Sequence, residues 1–360
     1  MVSINKIVFF GVGAIGASAG VWIAEKYDET YFLAQGRTKK ALESNGITHY
    51  FYDGTDKVLK EETLSTLHPV QVLDTLKELT EEDVVVLSVK NFSLSEAAEQ
   101  IKQQCGDKPI ILSMANGRIN QNILPKFFSK IIYSVVLWNA WRDVEYLEEE
   151  KKLIVGSQKR GPLLIGTLDN ALQNEMEAIK EIFDPGLETI VIDEIQNAVH
   201  CKIALNVINA ITTLIGHGIQ PVDFTPFQTL VTNTIWEAVQ ILKTAGFEEY
   251  PLPDMTPWSA IEMLHELPLS ATHEQFKHAM SKMQISSMTQ DIIQRNLGVS
   301  ELESLNGYMV KLADKYDMDA PFNRGVYSLA KERFEKGFQP MDANDVLSEV
   351  QRISEKGIND

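Results

Sequence analysis

The feature that most constrains this chain is an apolar, strand-like segment that runs into a Gly-x-Gly-x-x-Gly turn close to the start. Residues 6–10 favour a β-strand, the turn follows at once, and helix-forming residues come next. A sharp strand-to-helix turn needs glycine, and further glycines let a pyrophosphate approach the helix N-terminus. The pattern predicts a dinucleotide-binding turn made by Gly11, Val12, Gly13, Ala14, Ile15 and Gly16.

The second predicted strand, residues 30–34, bears on the choice of cofactor. NAD-specific sites place a carboxylate near the end of this strand, where it holds the ribose 2′-hydroxyl. This chain has Gln35 and then the basic residues Arg37, Lys39 and Lys40. We therefore expect NADP(H), with Arg37 near the 2′-phosphate. The alternative is a solvated basic cluster at the start of a helix.

Three further apolar segments, residues 83–89, 109–114 and 131–137, are typical of buried parallel strands. Polar residues follow each segment, and such residues meet at the carboxyl edge of a parallel sheet, where ligands bind. We also predict two hairpins, one around Asp53-Gly54 and one around Arg160-Gly161, because Asp-Gly and Gly-containing turns favour them.

From residue 194 onward the apolar residues repeat with helical spacing. The fold prediction is therefore α/β, with a Rossmann-type domain over residues 1–194 and an all-α domain over residues 195–360. Residues 198–215 form the most apolar segment, and their polar side chains fall on one stripe: Lys202, Asn206, Asn209 and Thr213. We interpret the stripe as the lining of a cleft. The alternative is a structural lysine whose stem reaches solvent.

Composition narrows the possible partners. The net charge of −17 disfavours nucleic acid and anionic membranes. Two cysteines, Cys105 and Cys201, indicate neither a disulfide framework nor a metal site, so no metal is expected. No charged leader precedes a long apolar segment, and a cytoplasmic protein is expected.

The sequence resembles the ketopantoate reductases, which reduce 2-dehydropantoate to (R)-pantoate with NADPH in pantothenate biosynthesis. The resemblance spans most of the chain and consists of ordered motifs. They are the glycine turn, Ser88-Val89-Lys90, Asn116-Gly117, residues 202–209, residues 286–291, residues 300–307 and Ala320-Pro321-Phe322-Asn323. It implies an NADP-dependent oxidoreductase with a C-terminal domain like that of 6-phosphogluconate dehydrogenase. We also expect a homodimer.

The resemblance also implies roles for single residues. Lys202 matches the lysine that protonates the ketone oxygen, and Glu301 matches the glutamate beside it. The implied substrate contacts are Asn206, Asn209, Ser287 and Asn116. The implied cofactor contacts outside the glycine turn are Lys90, Asn116 and Ala140, to which the basic cluster after the second strand adds Arg37. Chemically the set is coherent, because an ammonium can neutralise the alkoxide that develops on hydride addition.

The chain departs from the family pattern at several positions. Gln35 stands where members commonly carry arginine. The family's second asparagine on the lysine-bearing helix is replaced by Ala210, and this chain has Asn209 one residue earlier. Trp138, Trp141 and Arg142 lie in the segment that replaces a glycine-rich one. We therefore expect a 2-oxo acid that differs from ketopantoate or is bulkier. The alternatives are an opine- or 3-hydroxyacid-type dehydrogenase and a catalytically silent NADP-binding sensor.

Overall fold

The strongly apolar strand segments assemble into one large sheet in the first half of the chain. The computed structural model describes residues 2–52, 64–143 and 152–357. The chain divides into two compact units, Met1–Gln196 and Asn197–Asp360. The boundary predicted at residue 194 lies close to this division. In the described part of the chain we find no helix that could span a membrane.

The large sheet of the first unit has eight strands in the order β12-β11-β8-β7-β6-β1-β2-β5. Six of them, from β8 to β5 in that order, run parallel, while β11 pairs with β8 in the antiparallel sense. The strand order reverses direction between β1 and β6, which is the point where such sheets bind ligands. The strands are β1 (Lys6–Phe10), β2 (Thr30–Leu33), β5 (Gln71–Leu73), β6 (Asp83–Leu87), β7 (Ile110–Ser113), β8 (Ile131–Val136), β11 (Leu163–Gly166) and β12 (Thr189–Val191).

A second sheet of four strands covers the first helix. Its order is β4-β3-β10-β9, with β3 (Ile47–Phe51), β4 (Leu64–Leu67), β9 (Ala140–Arg142) and β10 (Leu153–Ser157). Helix α1 (Ala14–Ala24) contacts strands of both sheets and is buried almost throughout. This double cover explains why the helix is apolar on every side. The other helices of the unit are α2 (Gly36–Asn45), α3 (Leu94–Cys105), α4 (Ile119–Ile123) and α5 (Gln173–Phe183).

The described residues of the second unit form helices joined by loops, and their one β-type pairing is an isolated bridge between His217 and Gln220. The α/β and all-α prediction is therefore confirmed. The helices are α6 (Ile195–Asn206), which begins just before the division, α7 (Ile208–Leu214), α8 (Phe224–Thr244), α9 (Trp258–Glu266), α10 (Leu269–Ser281), α11 (Ser287–Thr289), α12 (Asn306–Lys315), α13 (Pro321–Arg333) and α14 (Ala343–Gly357). A π-helical turn, Gln290–Gln294, continues α11.

The hairpin predicted around Arg160-Gly161 is wrong. Strand β10 lies in the four-stranded sheet, whereas β11 lies in the eight-stranded sheet. Pro162 has no N–H with which to close a hairpin ladder, and its carbonyl instead accepts a hydrogen bond from Leu137 N at 3.1 Å. The other predicted turn, Asp53-Gly54, lies outside the described residues, although β3 and β4 on either side of it pair antiparallel.

The predicted helix over residues 198–215 is two helices, because α6 ends at Asn206 and α7 begins at Ile208. The buried side chain of Asn306 donates through Nδ2 to the carbonyl oxygen of Val207, the residue between them, at 2.9 Å. A side-chain donor inserted at a helical carbonyl is a known cause of helix interruption. The apolar character of the segment was read correctly, but a buried side-chain contact of this kind leaves no local signal.

Two glycines of the first turn differ sharply in their surroundings. A Cβ on Gly16 would collide with the carbonyl oxygen of Gly11 and with Ser88 Oγ, whereas a Cβ on Gly13 would meet nothing within 4 Å. Gly11 has φ of +101°, which side-chain-bearing residues rarely adopt. The tight turn and the close helix packing that the glycine pattern predicts are thus both present.

We expect Gly16→Ala to destabilise the fold by about 1–3 kcal/mol or more, because the backbone oxygen of Gly11 cannot move aside easily. Gly13→Ala is the matched control, since its φ of −78° suits alanine and its surroundings are open. Urea unfolding of the two variants measures the difference. Equal losses of unfolding free energy would contradict the packing argument.

Candidate functional site

The glycine turn forms the first part of the candidate site. Gly13 is the N-cap residue of α1, and having no side chain it leaves the first-turn N–H groups of the helix uncovered by any cap. Ser88 Oγ donates to the carbonyl oxygen of Gly11 at 2.6 Å and so ties the turn to the end of β6. The open space at Gly13 and the positive end of the helix dipole fit the pyrophosphate of a dinucleotide.

A cleft of about 290 Å³ begins at this turn and extends past the end of β2. Parallel strand ends at a reversal of strand order are where dinucleotides bind, and the glycine turn supplies the pyrophosphate end. The cleft therefore fits the adenosine side of such a cofactor. Its lining comprises Phe10, Gly11, Val12, Gly13, Leu33, Ala34, Gln35, Thr38, Gln100 and Arg142.

The basic cluster predicted after β2 is distributed differently from the expectation. Arg37 and Lys40 are exposed and are not among the residues that line the cleft. Lys39 forms ion pairs with Asp74 and with Glu43, whose carboxylates raise its pKa. The cofactor contact expected of Arg37 thus stays a prediction. The charged side chain among the described lining residues is that of Arg142, which the sequence marked as a departure from the family pattern and not as a cofactor contact.

The polar residues that follow β6 and β7 are brought together. Asn91 Nδ2 donates to the carbonyl oxygen of Asn116 at 2.8 Å, and Lys90 and Asn116 are both half-buried. Asn91 was missed as a positioning residue, although its place directly after Lys90 at a strand end was a usable signal. Ala140 packs against the apolar core of the unit and does not line the cleft. The cofactor roles of Lys90, Asn116 and Ala140 stay predictions.

The two tryptophans of the departing segment make hydrogen bonds within the first unit. Trp138 is buried and donates through Nε1 to Ser18 Oγ of α1 at 3.1 Å. Trp141 donates through Nε1 to Tyr50 OH at 2.8 Å. Both indoles are held by residues of their own unit, which removes the steric reason for a bulkier substrate, and the identity of the 2-oxo acid stays a prediction.

The second unit places Lys202 on α6, where the charge of a buried carboxylate acts on it. Glu301 is only 4% exposed, and its charge acts on the half-buried Lys202. Desolvation lowers the pKa of Lys202 to about 8, although the Glu301 carboxylate opposes this shift. An ammonium that titrates near neutral pH can deliver a proton and be replenished, which is what a general acid requires.

Asn306 holds the segment that carries Glu301 against α6. The turn after Glu301 closes through a hydrogen bond from Leu305 N to the Glu301 carbonyl oxygen at 3.1 Å, and α12 then begins at Asn306. The Asn306 side chain is fully buried and donates to Val207 O, next to Asn206. The interruption between α6 and α7 therefore also positions the acidic partner of Lys202.

A network of four hydroxyl groups fixes the segment around Ser287 against α7. Thr212 Oγ1 donates to Ser286 Oγ at 3.2 Å, and the hydroxyls of Thr213 and Thr289 lie 2.9 Å apart. The hydroxyls of Ser286 and Thr289 also lie 2.9 Å apart, which joins the two pairs into one chain. Thr213, expected on the cleft-lining stripe, is instead fully buried in this network, whereas Asn206, Asn209 and Ser287 remain half-buried.

His200, two residues before Lys202, is a structural residue. Its ring is buried, lies 2.7 Å from Tyr308 OH through Nε2, and stacks on Phe247 with the ring centroids 3.6 Å apart. Among the residues that the structure describes, no cluster of histidine, cysteine or acidic side chains has the arrangement of a metal site.

Comparison with known proteins decides the family. The family model Ketopantoate reductase PanE/ApbA matches residues 7–157, and the model of its C-terminal part matches residues 194–334. The chain belongs to the ketopantoate reductase family. It is thus a member of a family of oxidoreductases, as its motifs indicated.

Individual ketopantoate reductases are similar over nearly the whole chain. The 2-dehydropantoate 2-reductase of Archaeoglobus fulgidus is 23% identical over 91% of this chain and 97% of its own length. That of Pyrococcus horikoshii is 25% identical, with the same coverage of both chains.

A solved structure shares the fold. The ternary structure of D-mandelate dehydrogenase with NADH and anilino(oxo)acetate has a TM-score of 0.69 and 16% identity, and the match covers 95% of this chain and 99% of that one. At this identity the likeness concerns the fold alone.

We expect Lys202→Met to raise the melting temperature at pH 7. Because the pKa of Lys202 is lower in the fold than in the unfolded chain, the folded protein binds this proton less tightly. Below about pH 8 the protonated lysine therefore opposes folding, and this effect fades as the pH rises toward the unfolded pKa. Thermal unfolding at pH 7 and pH 10 tests the prediction, with exposed Lys282→Met as control. A gain that is equal at both pH values would contradict it.

Proposed function

We propose that this ketopantoate reductase family member reduces a 2-oxo acid, 2-dehydropantoate or a close relative, to the 2-hydroxy acid with NADPH. The observation that carries the proposal is the pair of Lys202 and Glu301. A lysine with a pKa near 8, half-buried beside a carboxylate, suits proton delivery to a carbonyl oxygen. The two alternatives, an opine- or 3-hydroxyacid-type dehydrogenase and a silent NADP-binding sensor, have no comparable observation in their favour.

The glycine turn, Lys90 and Asn116 would hold a nicotinamide dinucleotide, which would supply the hydride for the carbonyl carbon of the substrate. Lys202 Nζ gives a proton to the carbonyl oxygen, so that a hydroxyl forms and the amine is left neutral. The carboxylate of Glu301 keeps Lys202 protonated in a partly desolvated place and orients it. Asn206, Asn209 and Ser287 bind the substrate. Ser287 holds the carboxylate of the 2-oxo acid.

The cofactor half of the proposal rests on the first unit. The glycine turn holds the pyrophosphate, and Lys90 and Asn116 contact the cofactor from the ends of β6 and β7. The cleft beyond β2 is lined by one cation and by no acid among its described residues, which favours NADPH over NADH. A small-molecule substrate and a homodimer complete the proposal. One structural neighbour, from Staphylococcus aureus, is described as a dimeric ketopantoate reductase, with a TM-score of 0.64 and 17% identity.

The expected substrate and cofactor can be tested together on the wild-type protein. We expect oxidation of NADPH on addition of ketopantoate, at a catalytic efficiency above that for pyruvate or benzoylformate. We also expect tighter binding of NADPH than of NADH, because a charge-assisted contact to the 2′-phosphate adds about 1–3 kcal/mol. Absorbance at the nicotinamide band and fluorescence titration measure the two quantities. Turnover of a different 2-oxo acid alone would move the substrate assignment, and equal binding would contradict the cofactor preference.

We expect Lys202→Ala to reduce turnover by roughly 10²- to 10⁴-fold, with NADPH affinity near that of the wild type. Wild-type activity should fall as the pH rises through about 8, where Lys202 loses its proton. Glu301→Gln should move this fall to lower pH, because the carboxylate raises the pKa of Lys202. The double variant should lose less than the sum of the single losses, since the two residues act as a unit.

Steady-state kinetics across pH, beside a cofactor titration, measure these effects. Lys282→Met, on the surface of the same unit, is the control for a general effect of removing a lysine. Near-normal turnover in folded Lys202→Ala would contradict the mechanism and would leave a structural lysine as the explanation.

A further inference from the structure

The charge of the cleft that begins at the glycine turn comes from a single side chain. Of its ten described lining residues, nine are uncharged and one is Arg142. The end of β2 contributes Ala34 and Gln35 to the lining, and α2 contributes Thr38. A carboxylate that would bind the ribose 2′-hydroxyl and repel a 2′-phosphate is not among these lining residues.

The nearer basic residues in sequence are placed less well. Arg37 and Lys40 point outward as exposed side chains, and neither contributes to the lining. Lys39 is paired with Asp74 and Glu43, so its charge is already balanced by two carboxylates. The basic residues directly after β2 therefore lie outside the lining of the cleft, whereas Arg142 of the second sheet lies in it.

Strand pairing explains how Arg142 reaches this place. It stands opposite Val155 in the antiparallel pair of β9 and β10, and β10 contacts α2, the helix that begins directly after β2. Side chains alternate along a strand. Trp141 turns to Tyr50 on one side, and the half-buried Arg142 lies in the cleft lining with Gln35 and Thr38.

We propose that Arg142 binds the 2′-phosphate of NADP(H) and sets the preference for NADPH over NADH. The inference rests on the proposed function, since it needs a nicotinamide dinucleotide in the cleft. A guanidinium offers two parallel N–H donors to a phosphate, which gives a strong and geometrically specific contact. The pyrophosphate has its own partners in the glycine turn and the N-terminus of α1, so the ribose end is where the extra cation is needed.

The test uses ligands that differ by the 2′-phosphate alone. Binding of NADPH and NADH, and of the fragments adenosine 2′,5′-bisphosphate and 5′-AMP, is measured by calorimetry on the full chain. The variants are Arg142→Gln, Arg142→Lys and Arg37→Ala, and the exposed Lys126→Ala, outside the cleft lining, controls for the loss of one positive charge. Circular dichroism and thermal unfolding confirm that each variant is folded.

We expect Arg142→Gln to weaken NADPH and the bisphosphate by about 10- to 100-fold, and NADH and 5′-AMP by less than about 3-fold. Arg142→Lys should recover part of the loss, and Arg37→Ala should have a smaller effect than Arg142→Gln. An equal loss for all four ligands would overturn the inference, because Arg142 would then serve the phosphate that they share. If the wild type prefers NADPH and Arg142→Gln keeps this preference, the role of Arg142 is overturned and the proposed cofactor stands. If the wild type has no preference, the proposed cofactor is overturned as well.

Discussion

The burial of α1 between two sheets is the constraint on which the first unit depends. Strands on both sides contact this helix, so the side chains on every face of it must be apolar or small. Its N-terminus can approach β1 and β6 only because Gly16 has no side chain to displace Gly11 O and Ser88 Oγ. The same close approach aims the positive end of the helix at the cleft. The helix that fills the core therefore also presents its uncapped first-turn N–H groups to the cleft.

The second unit depends on a different constraint, the partial burial of one ammonium group. Desolvation disfavours the charged form of Lys202, and Glu301 offsets only part of this effect, so the lysine titrates near pH 8. A partly buried ammonium and its carboxylate partner need polar contacts that hold their two segments in place. Asn306, fully buried, ties the Glu301 segment to Val207, and the threonine and serine hydroxyls tie the Ser287 segment to α7. Polar groups buried for this purpose destabilise the fold unless every contact is made.

The predictability of the chain follows the locality of each signal. Strands β1 and β6 and the glycine turn were predicted because apolar runs and glycine positions act within a few residues. The four-stranded sheet was not predicted. Its strand β10 pairs with β3, about a hundred residues earlier, and hydrogen bonds between segments so far apart in sequence leave no local pattern. The site shows the same division. Lys202 and Glu301 are predicted as site residues through a resemblance of motifs. Arg142 reaches the cleft lining through strand pairing, which the residues near β2 could not indicate.

The acidity of the whole molecule makes that local placement decisive. A net charge of −17 repels an anionic cofactor at long range, but salt screens charges beyond about 8 Å at physiological ionic strength. What the phosphates experience is then set by the groups that line the cleft. Lys39, although close in sequence, brings its two carboxylate partners with it and contributes little net positive charge. Among the described residues that line the cleft, Arg142 is the one cation, and the uncapped N-terminus of α1 adds the positive end of a helix dipole. The proposed preference for the more highly charged dinucleotide is therefore compatible with an acidic protein.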